Sequence, residues 1–103
     1  MIDSSKLAAN SAKAVTLLKA LANKQRLMIL CALQDKELSV SQLNELIPIP
    51  QSSLSQQLAW LRKEQFVRTR REAQSIFYAL DSNEAQQLIG TLYQIYCSDD
   101  DPQ

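Results

Sequence analysis

Along most of this chain, apolar residues recur at helical spacing, broken by short polar or proline-containing turns and by one stretch of alternation. Leu7, Ala14, Val15, Leu17, Leu18 and Leu21 mark a first helix, capped by Ser4 or Ser5 and running to about Ala22. Asn23 precedes Lys24-Gln25-Arg26-Leu27 as the cap of a second helix. It reaches about Gln34, with Leu27, Ile29, Leu30 and Leu33 on the inner face. Asp35-Lys36-Glu37 forms a polar turn. Ser39 and Gln42 have capping-box spacing, which predicts a short third helix from Val40 to about Ile47, buried through Leu43, Leu46 and Ile47. Pro48-Ile49-Pro50 stops it and turns the chain into a fourth.

The fourth helix is the most informative. Leu54, Leu58 and Leu61 recur at i, i+4, i+7 and define a buried stripe. At about 100° per residue, Ser52, Ser53, Ser55 and Gln56 point away from it. Exposed helix positions are normally filled by Glu, Lys or Ala. Here Gln51 and the serines crowd short uncharged donor–acceptors into the first two turns, and Arg62 and Lys63 follow at the end. Such a helix can put its amino end in a DNA major groove and bond base edges without repelling phosphate. Taken alone, the segment equally fits a polar helix of unusual composition.

After Glu64-Gln65 the period changes to two. Phe66 to Arg71 and Ser75 to Leu80 read as strands, with the charged Arg70 to Gln74 as a hairpin tip. A last amphipathic helix covers roughly Asn83 to Cys97 through Leu88, Ile89, Leu92, Ile95 and Tyr96. The expected fold is mainly α with one β-hairpin, in the order α-α-α-α-β-β-α: a helix-turn-helix followed by a wing. Residues 1–98 form one domain and 99–103 an acidic, disordered tail. A basic wing beside a reading helix can reach the adjacent minor groove or the backbone.

Composition supports this picture. A length of 103 residues with 46% hydrophobic content suits one domain with a modest core. One Gly and three Pro leave room mainly for helices. No apolar run approaches the roughly 18 residues of a membrane span, and no export signal is visible, so the expectation is a cytoplasmic protein away from membranes. Net charge is zero, but it is polarised. Between residues 51 and 80, Arg62, Lys63, Arg68, Arg70 and Arg71 outweigh Glu64 and Glu72, whereas Asp81, Glu84, Asp99, Asp100 and Asp101 follow with no base.

Four segments carry a family resemblance: Ala22-Asn23-Lys24-Gln25-Arg26-Leu27-Met28-Ile29-Leu30, Leu38-Ser39-Val40-Ser41-Gln42-Leu43, Ser53-Leu54-Ser55-Gln56-Gln57-Leu58, and the hairpin to Phe77-Tyr78-Ala79-Leu80. They resemble the ArsR/SmtB winged-helix repressors over nearly the whole chain. Ser11-Ala12-Lys13-Ala14-Val15, Leu58-Ala59-Trp60-Leu61-Arg62 and Tyr96-Cys97 look most similar to the HlyU/BigR/SqrR branch. The resemblance implies a homodimer joined through first and last helices, binding operator DNA to regulate virulence or sulfide-detoxification genes. It implies base reading by Ser52, Ser53, Ser55 and Gln56, and phosphate or minor-groove contacts from Arg68, Arg70 and Arg71. Two positions depart from the pattern. Pro50 stands where relatives carry a capping Ser or Thr, so the helix start shifts toward Gln51 or Ser52. Gln57 stands where they carry His, so that site cannot titrate.

The family's metal sites are not reproduced. Ser39 and Ser41 occupy the places of a Cys-x-Cys pair, and hydroxyls are poor ligands for a soft metal. The chain has no His at all. No metal and no other cofactor is expected. Cys31 and Cys97 remain. By position, Cys31 lies mid-helix beside Leu30, where a buried structural thiol is ordinary, and Cys97 ends the last helix, partly exposed. The helix carboxyl end and Asp99 to Asp101 disfavour a thiolate at Cys97. The branch resemblance implies that this pair is a redox or persulfide switch. Direct bridging requires Cα atoms within about 7 Å, while a polysulfide bridge tolerates more. Two other readings stay open: a regulator with no working sensor that displaces a nucleoid silencer, and a winged helix used as a protein-interaction module. A thiol enzyme is disfavoured by the lack of a Cys-x-x-Cys motif, a His base or a glycine-rich loop.

Overall fold

The computed structural model describes residues 3–97 of the chain. Eight elements follow in order: α1 (Ser4–Leu21), α2 (Lys24–Ala32), β1 (Leu38–Ser39), α3 (Val40–Leu46), α4 (Gln51–Lys63), β2 (Val67–Glu72), β3 (Ser75–Leu80) and α5 (Asn83–Tyr96). The five helices and the hairpin match the expected winged helix-turn-helix; the proposed tail at 99–103 lies outside the described residues.

Caps set most helix boundaries. Asp3, not Ser4 or Ser5, caps α1: its carboxylate accepts from the Ser5 amide at 3.0 Å and from the Ser5 hydroxyl at 2.9 Å. A carboxylate is acceptor-only and bonds both, so the serine is drawn in as donor. Asn23 caps α2 by accepting from the Arg26 amide at 3.0 Å. That helix stops at Ala32, short of Gln34, because the Gln34 amide turns back to the Cys31 carbonyl at 3.2 Å. The capping box at α3 is formed in both directions, Ser39 accepting from the Gln42 amide and Gln42 accepting from the Ser39 amide.

The helix-turn-helix is pinned differently. Pro50 is the N-cap residue of α4, with φ −54° and ψ 140°, and no side chain caps that helix. The intervening turn is held instead by Asn44, whose amide group donates to the carbonyls of Ile47 at 3.1 Å and Ile49 at 2.9 Å. At the other end, Gln65 enters the left-handed region at φ 68°. The Phe66 amide then reaches the Leu61 carbonyl at 2.9 Å, and the Gln65 amide the Arg62 carbonyl at 3.0 Å. This double closure is a Schellman motif, which ends α4 and drops Phe66 into the core at the root of the wing.

Leu54, Leu58 and Leu61 of α4 are fully buried, in one cluster with Ile29 and Leu30 of α2, Leu33 just after it, Leu43 of α3, Ile47 just after it, and Ile89 of α5. One expectation fails here. Leu46 is 56% exposed: the inner side of short α3 is filled by Leu43 and by Ile47 just after the helix, so Leu46 falls on the outside. On α5, Ala85 and Ile89 are buried, whereas Tyr93, Ile95 and Tyr96 toward its carboxyl end are exposed.

The sheet has the order β1-β3-β2, antiparallel throughout. The two-residue β1 was not anticipated from the sequence; Leu38 pairs with Tyr78 and Ser39 with Phe77. Pairing of β2 with β3 persists to Glu72 and Ser75, so the turn is only Ala73-Gln74 and Arg70 and Arg71 lie on the strand rather than at the tip. Ala73 takes φ 56°, a left-handed conformation that costs a residue with a Cβ about 1–2 kcal/mol.

Candidate nucleic-acid interface

The end of α4 packs on β2, and Arg62 lines a shared hollow with Arg68 and Thr69 at the base of the hairpin. With the leucine stripe inward, Gln51, Ser52, Ser55 and Gln56 are fully outside, whereas Ser53 is half-buried at the edge of the stripe. Arg62 and Lys63 occupy the exposed last turn of α4, where cations also complement the helix carboxyl end. The row is uncharged at its amino end and positive at its carboxyl end.

The wing arginines separate into two groups. Alternation along β2 puts Arg68, Arg70 and Glu72 on one face, with Val67, Thr69 and Arg71 on the other. Arg68 donates to the Leu80 carbonyl at 2.6 Å and lies 3.5 Å from Asp81. Arg70 is more heavily committed. Its guanidinium crosses the Phe77 ring, 4.8 Å from the centroid, and bonds Glu37 through Nη2 at 2.8 Å and Nε at 3.1 Å. Its Nη1 bonds Glu72 at 2.7 Å. The residue therefore straps the outer strand across β3 to the turn after α2. Among the described residues, Arg62, Lys63 and Arg71 have no acidic partner. Sequence reasoning treated the wing arginines as equivalent. The strap depends on Glu37 lying across the sheet, which only the register of β1 and β3 reveals.

The hydrogen bonds from Arg70 hold the Glu37 carboxyl below its ordinary range, and this has a sign that can be checked. A group whose folded pKa is depressed stabilises the fold above its unfolded pKa, and loses that contribution as pH falls through the folded value. Acidification below the usual glutamate range should therefore loosen the β2 end of the wing before the core melts. Relative to the intrinsic exchange rate at each pH, protection of the Arg70 to Glu72 amides should fall in acid in the wild type. In Glu37→Gln it should already be lower at neutral pH and change less with acid.

The two cysteines are free thiols on elements that pack together, Cys31 on α2 and Cys97 at the carboxyl end of α5. Cys31 is exposed, not the buried structural thiol its position suggested; Cys97 is half-buried, as expected. The Cys31 pKa is nonetheless raised, first by desolvation among its neighbours and second by the charge of Cys97. Among the described residues, no group of three or more Cys, Asp or Glu is gathered as a metal ion would require. No described helix is long and apolar enough to cross a membrane.

A helix-turn-helix with an uncharged outer face, positive end and wing defines a class, the DNA-binding transcriptional regulators. Residues 23–69 match the family described as bacterial regulatory protein, arsR family. Over 88 residues the chain is 56% identical to the transcriptional activator HlyU of Vibrio cholerae serotype O1, covering 85% of this chain and 82% of that protein. The structure of reduced HlyU from the same species superimposes with a TM-score of 0.86 at 53% identity, over 90% of this chain and 98% of that one. The transcriptional repressor BigR from Xylella fastidiosa gives 0.85 at 39% identity, over 94% and 99% of the two chains. This chain belongs to the ArsR family, as a DNA-binding winged-helix regulator of the HlyU/BigR branch.

Proposed function

We propose that the protein is a cytoplasmic homodimer, joined through α1 and α5, that reads a near-palindromic operator and is released from it when Cys31 and Cys97 are linked. Residues 1–98 carry this activity. The observation that carries the reading is the outer face of α4, where Gln51, Ser52, Ser55 and Gln56 stand exposed and uncharged. These residues, with Ser53 from the edge of the stripe, bond base edges; Arg62, Lys63 and Arg71 contact phosphate. Arg68 and Arg70 contribute only by exchanging acidic partners for phosphate.

Dimerisation is supported by apolar side chains left outside on two neighbouring helices: Leu7, Val15 and Leu18 on α1, and Tyr93, Ile95 and Tyr96 on α5. Patches of this kind mark protein contacts in proteins that stay dissolved. In such a dimer the two α4 helices stand about 34 Å apart, one turn of DNA. Linking α2 to α5 then acts on the dimer helix itself. Peroxide removes two protons and two electrons from the thiols and forms a disulfide and two waters. Two sulfane-sulfur atoms from a persulfide donor form a trisulfide and hydrogen sulfide.

The raised pKa of Cys31 favours a second reading, a regulator without a working sensor that displaces a nucleoid silencer, because the thiolate is the reactive form. One experiment separates the two. Wild-type protein, Cys31→Ser and Cys97→Ser are titrated onto a duplex selected by the wild type from a random pool, before and after peroxide or a persulfide donor. The thiol-switch reading expects wild-type affinity to fall about tenfold or more, neither variant to respond, and the linking rate to rise with pH. Equal release of all three proteins, or of none, would sink it.

A further inference from the structure

Arg26 ties three helices together, although it lies outside the surface assigned to DNA. It sits in the first turn of α2, with its backbone amide on the Asn23 cap. Its side chain reaches in two directions. Toward α1, Nη2 donates to the Lys19 carbonyl at 2.7 Å and Nε to the Ala20 carbonyl at 3.3 Å. These carbonyls belong to the last turn of α1, which carries the negative end of the helix dipole and where the Lys19 carbonyl otherwise receives only a long bond from the Ala22 cap amide at 3.3 Å. Toward α4, Nη1 donates to Gln57 Oε1 at 3.2 Å, and the guanidinium carbon sits 4.2 Å from the centroid of the Trp60 ring.

The α4 side is equally specific. Gln57 returns a hydrogen bond from Nε2 to Gln25 Oε1 at 3.3 Å, so both ends of its amide are engaged by α2. Trp60 stacks on Phe66, centroids 6.2 Å apart and planes within 12°, which carries the packing to the root of the wing. Ser53, Gln57 and Trp60 are half-buried and spaced i, i+4, i+7, forming a second stripe beside the leucines. The leucine stripe fixes the depth of α4 in the core; apolar packing alone is non-directional. Rotation about the helix axis is resisted by the directional bonds of Arg26 and Gln57.

We propose that Arg26 is a positioning residue for DNA reading: it fixes the rotational setting of α4 against the end of α1, through Gln57 and Trp60. This rests on α4 being the reading helix and α1 part of the dimer scaffold. With side chains reaching about 5–6 Å from the helix axis, a rotation of about 10° displaces the tips of Ser55 and Gln56 by about 1 Å. That displacement breaks hydrogen bonds to base edges while leaving phosphate contacts, made by long flexible side chains, nearly intact. Arg26 therefore governs discrimination between sequences rather than attraction to DNA. Gln57 suits the pairing because its amide accepts from a guanidinium and donates onward without taking a charge.

The test uses the full chain and two duplexes: one selected by the wild type from a random pool, and a scrambled duplex of equal length and composition. Arg26→Lys keeps the charge but loses the planar fork, and Gln57→Met removes the α4 acceptor while leaving the bonds to α1. Each is expected to weaken binding to the selected duplex about tenfold, to bind the scrambled duplex as the wild type does, and to keep the wild-type salt slope. Combining them should be no worse than the more severe single change, since both remove the same link. Folding is checked by circular dichroism, and if Arg26→Lys does not fold, Gln57→Met carries the test. A folded Gln57→Met with unchanged discrimination overturns the proposal, as does equal weakening on both duplexes. If the wild type selects no duplex, the assignment of α4 as the reading helix has failed, and Arg26 has nothing to position.

Discussion

Leu58→Ala should destabilise the protein by about 2–5 kcal/mol, the largest effect expected of any single substitution here. Leu58 is fully buried in the middle of the α4 stripe, in one cluster with leucines and isoleucines from three other helices. Truncation removes its transfer free energy and leaves a cavity that rigid neighbours on several elements cannot close. A domain of this size has only about 5–15 kcal/mol of stability in total, so a sizeable fraction is lost. Urea unfolding followed by circular dichroism should show a lower midpoint with unchanged slope. The comparison is Gln56→Ala, on the outer face of the same helix. That change should leave the midpoint nearly untouched and reduce affinity for selected DNA. A Leu58→Ala protein as stable as wild type would mean that α4 is not the centre of the core.

Removing the unpaired cations should have the largest effect on DNA. Arg62, Lys63 and Arg71 have no acidic partner among the described residues, so each is available to displace a counterion from phosphate. Replacing all three with Gln should flatten the log–log dependence of affinity on salt by about 0.9 for every phosphate no longer neutralised, taken over both protomers of a dimer. At low salt this amounts to orders of magnitude in affinity. Arg70→Gln should behave differently. It breaks the strap to Glu37 and Glu72, so its main result should be faster amide exchange in the wing, with a smaller change in slope. Equal slope changes for Arg70 and Arg71 would show that the Arg70 ion pairs open freely on DNA. A flat salt response in the wild type would favour a protein partner for the α4 face.

Local signals were legible in the sequence because their physics is local. The Ser39–Gln42 box, the Asn23 cap and the proline turn each involve residues within a few positions, and each lies where the spacing put it. The stripe of Leu54, Leu58 and Leu61 was equally plain, since periodicity reports which face is buried. Failures came where a second element decides. Leu46 has the same spacing credentials as Leu43, yet only the placement of the neighbouring helices selects between them. The two residues of β1 are too few to show alternation, and without β1 nothing brings Glu37 within reach of Arg70, 33 positions away. Arg26 stood within a family segment, but nothing in the sequence showed its role: a basic residue in the first turn of a helix is commonplace, and its partners lie on α1 and α4.

The proline at the start of α4 has a further consequence. A serine or threonine there would hold one of the leading amides of the helix internally, an interaction worth about 1 kcal/mol to the isolated fold. Pro50 has no side-chain acceptor to offer, and no other side chain takes its place. The first amides of α4 are therefore left without a side-chain acceptor, at the positive end of the helix dipole. The protein thus forgoes that increment of stability, and the start of α4 should fray more readily than the capped start of α3.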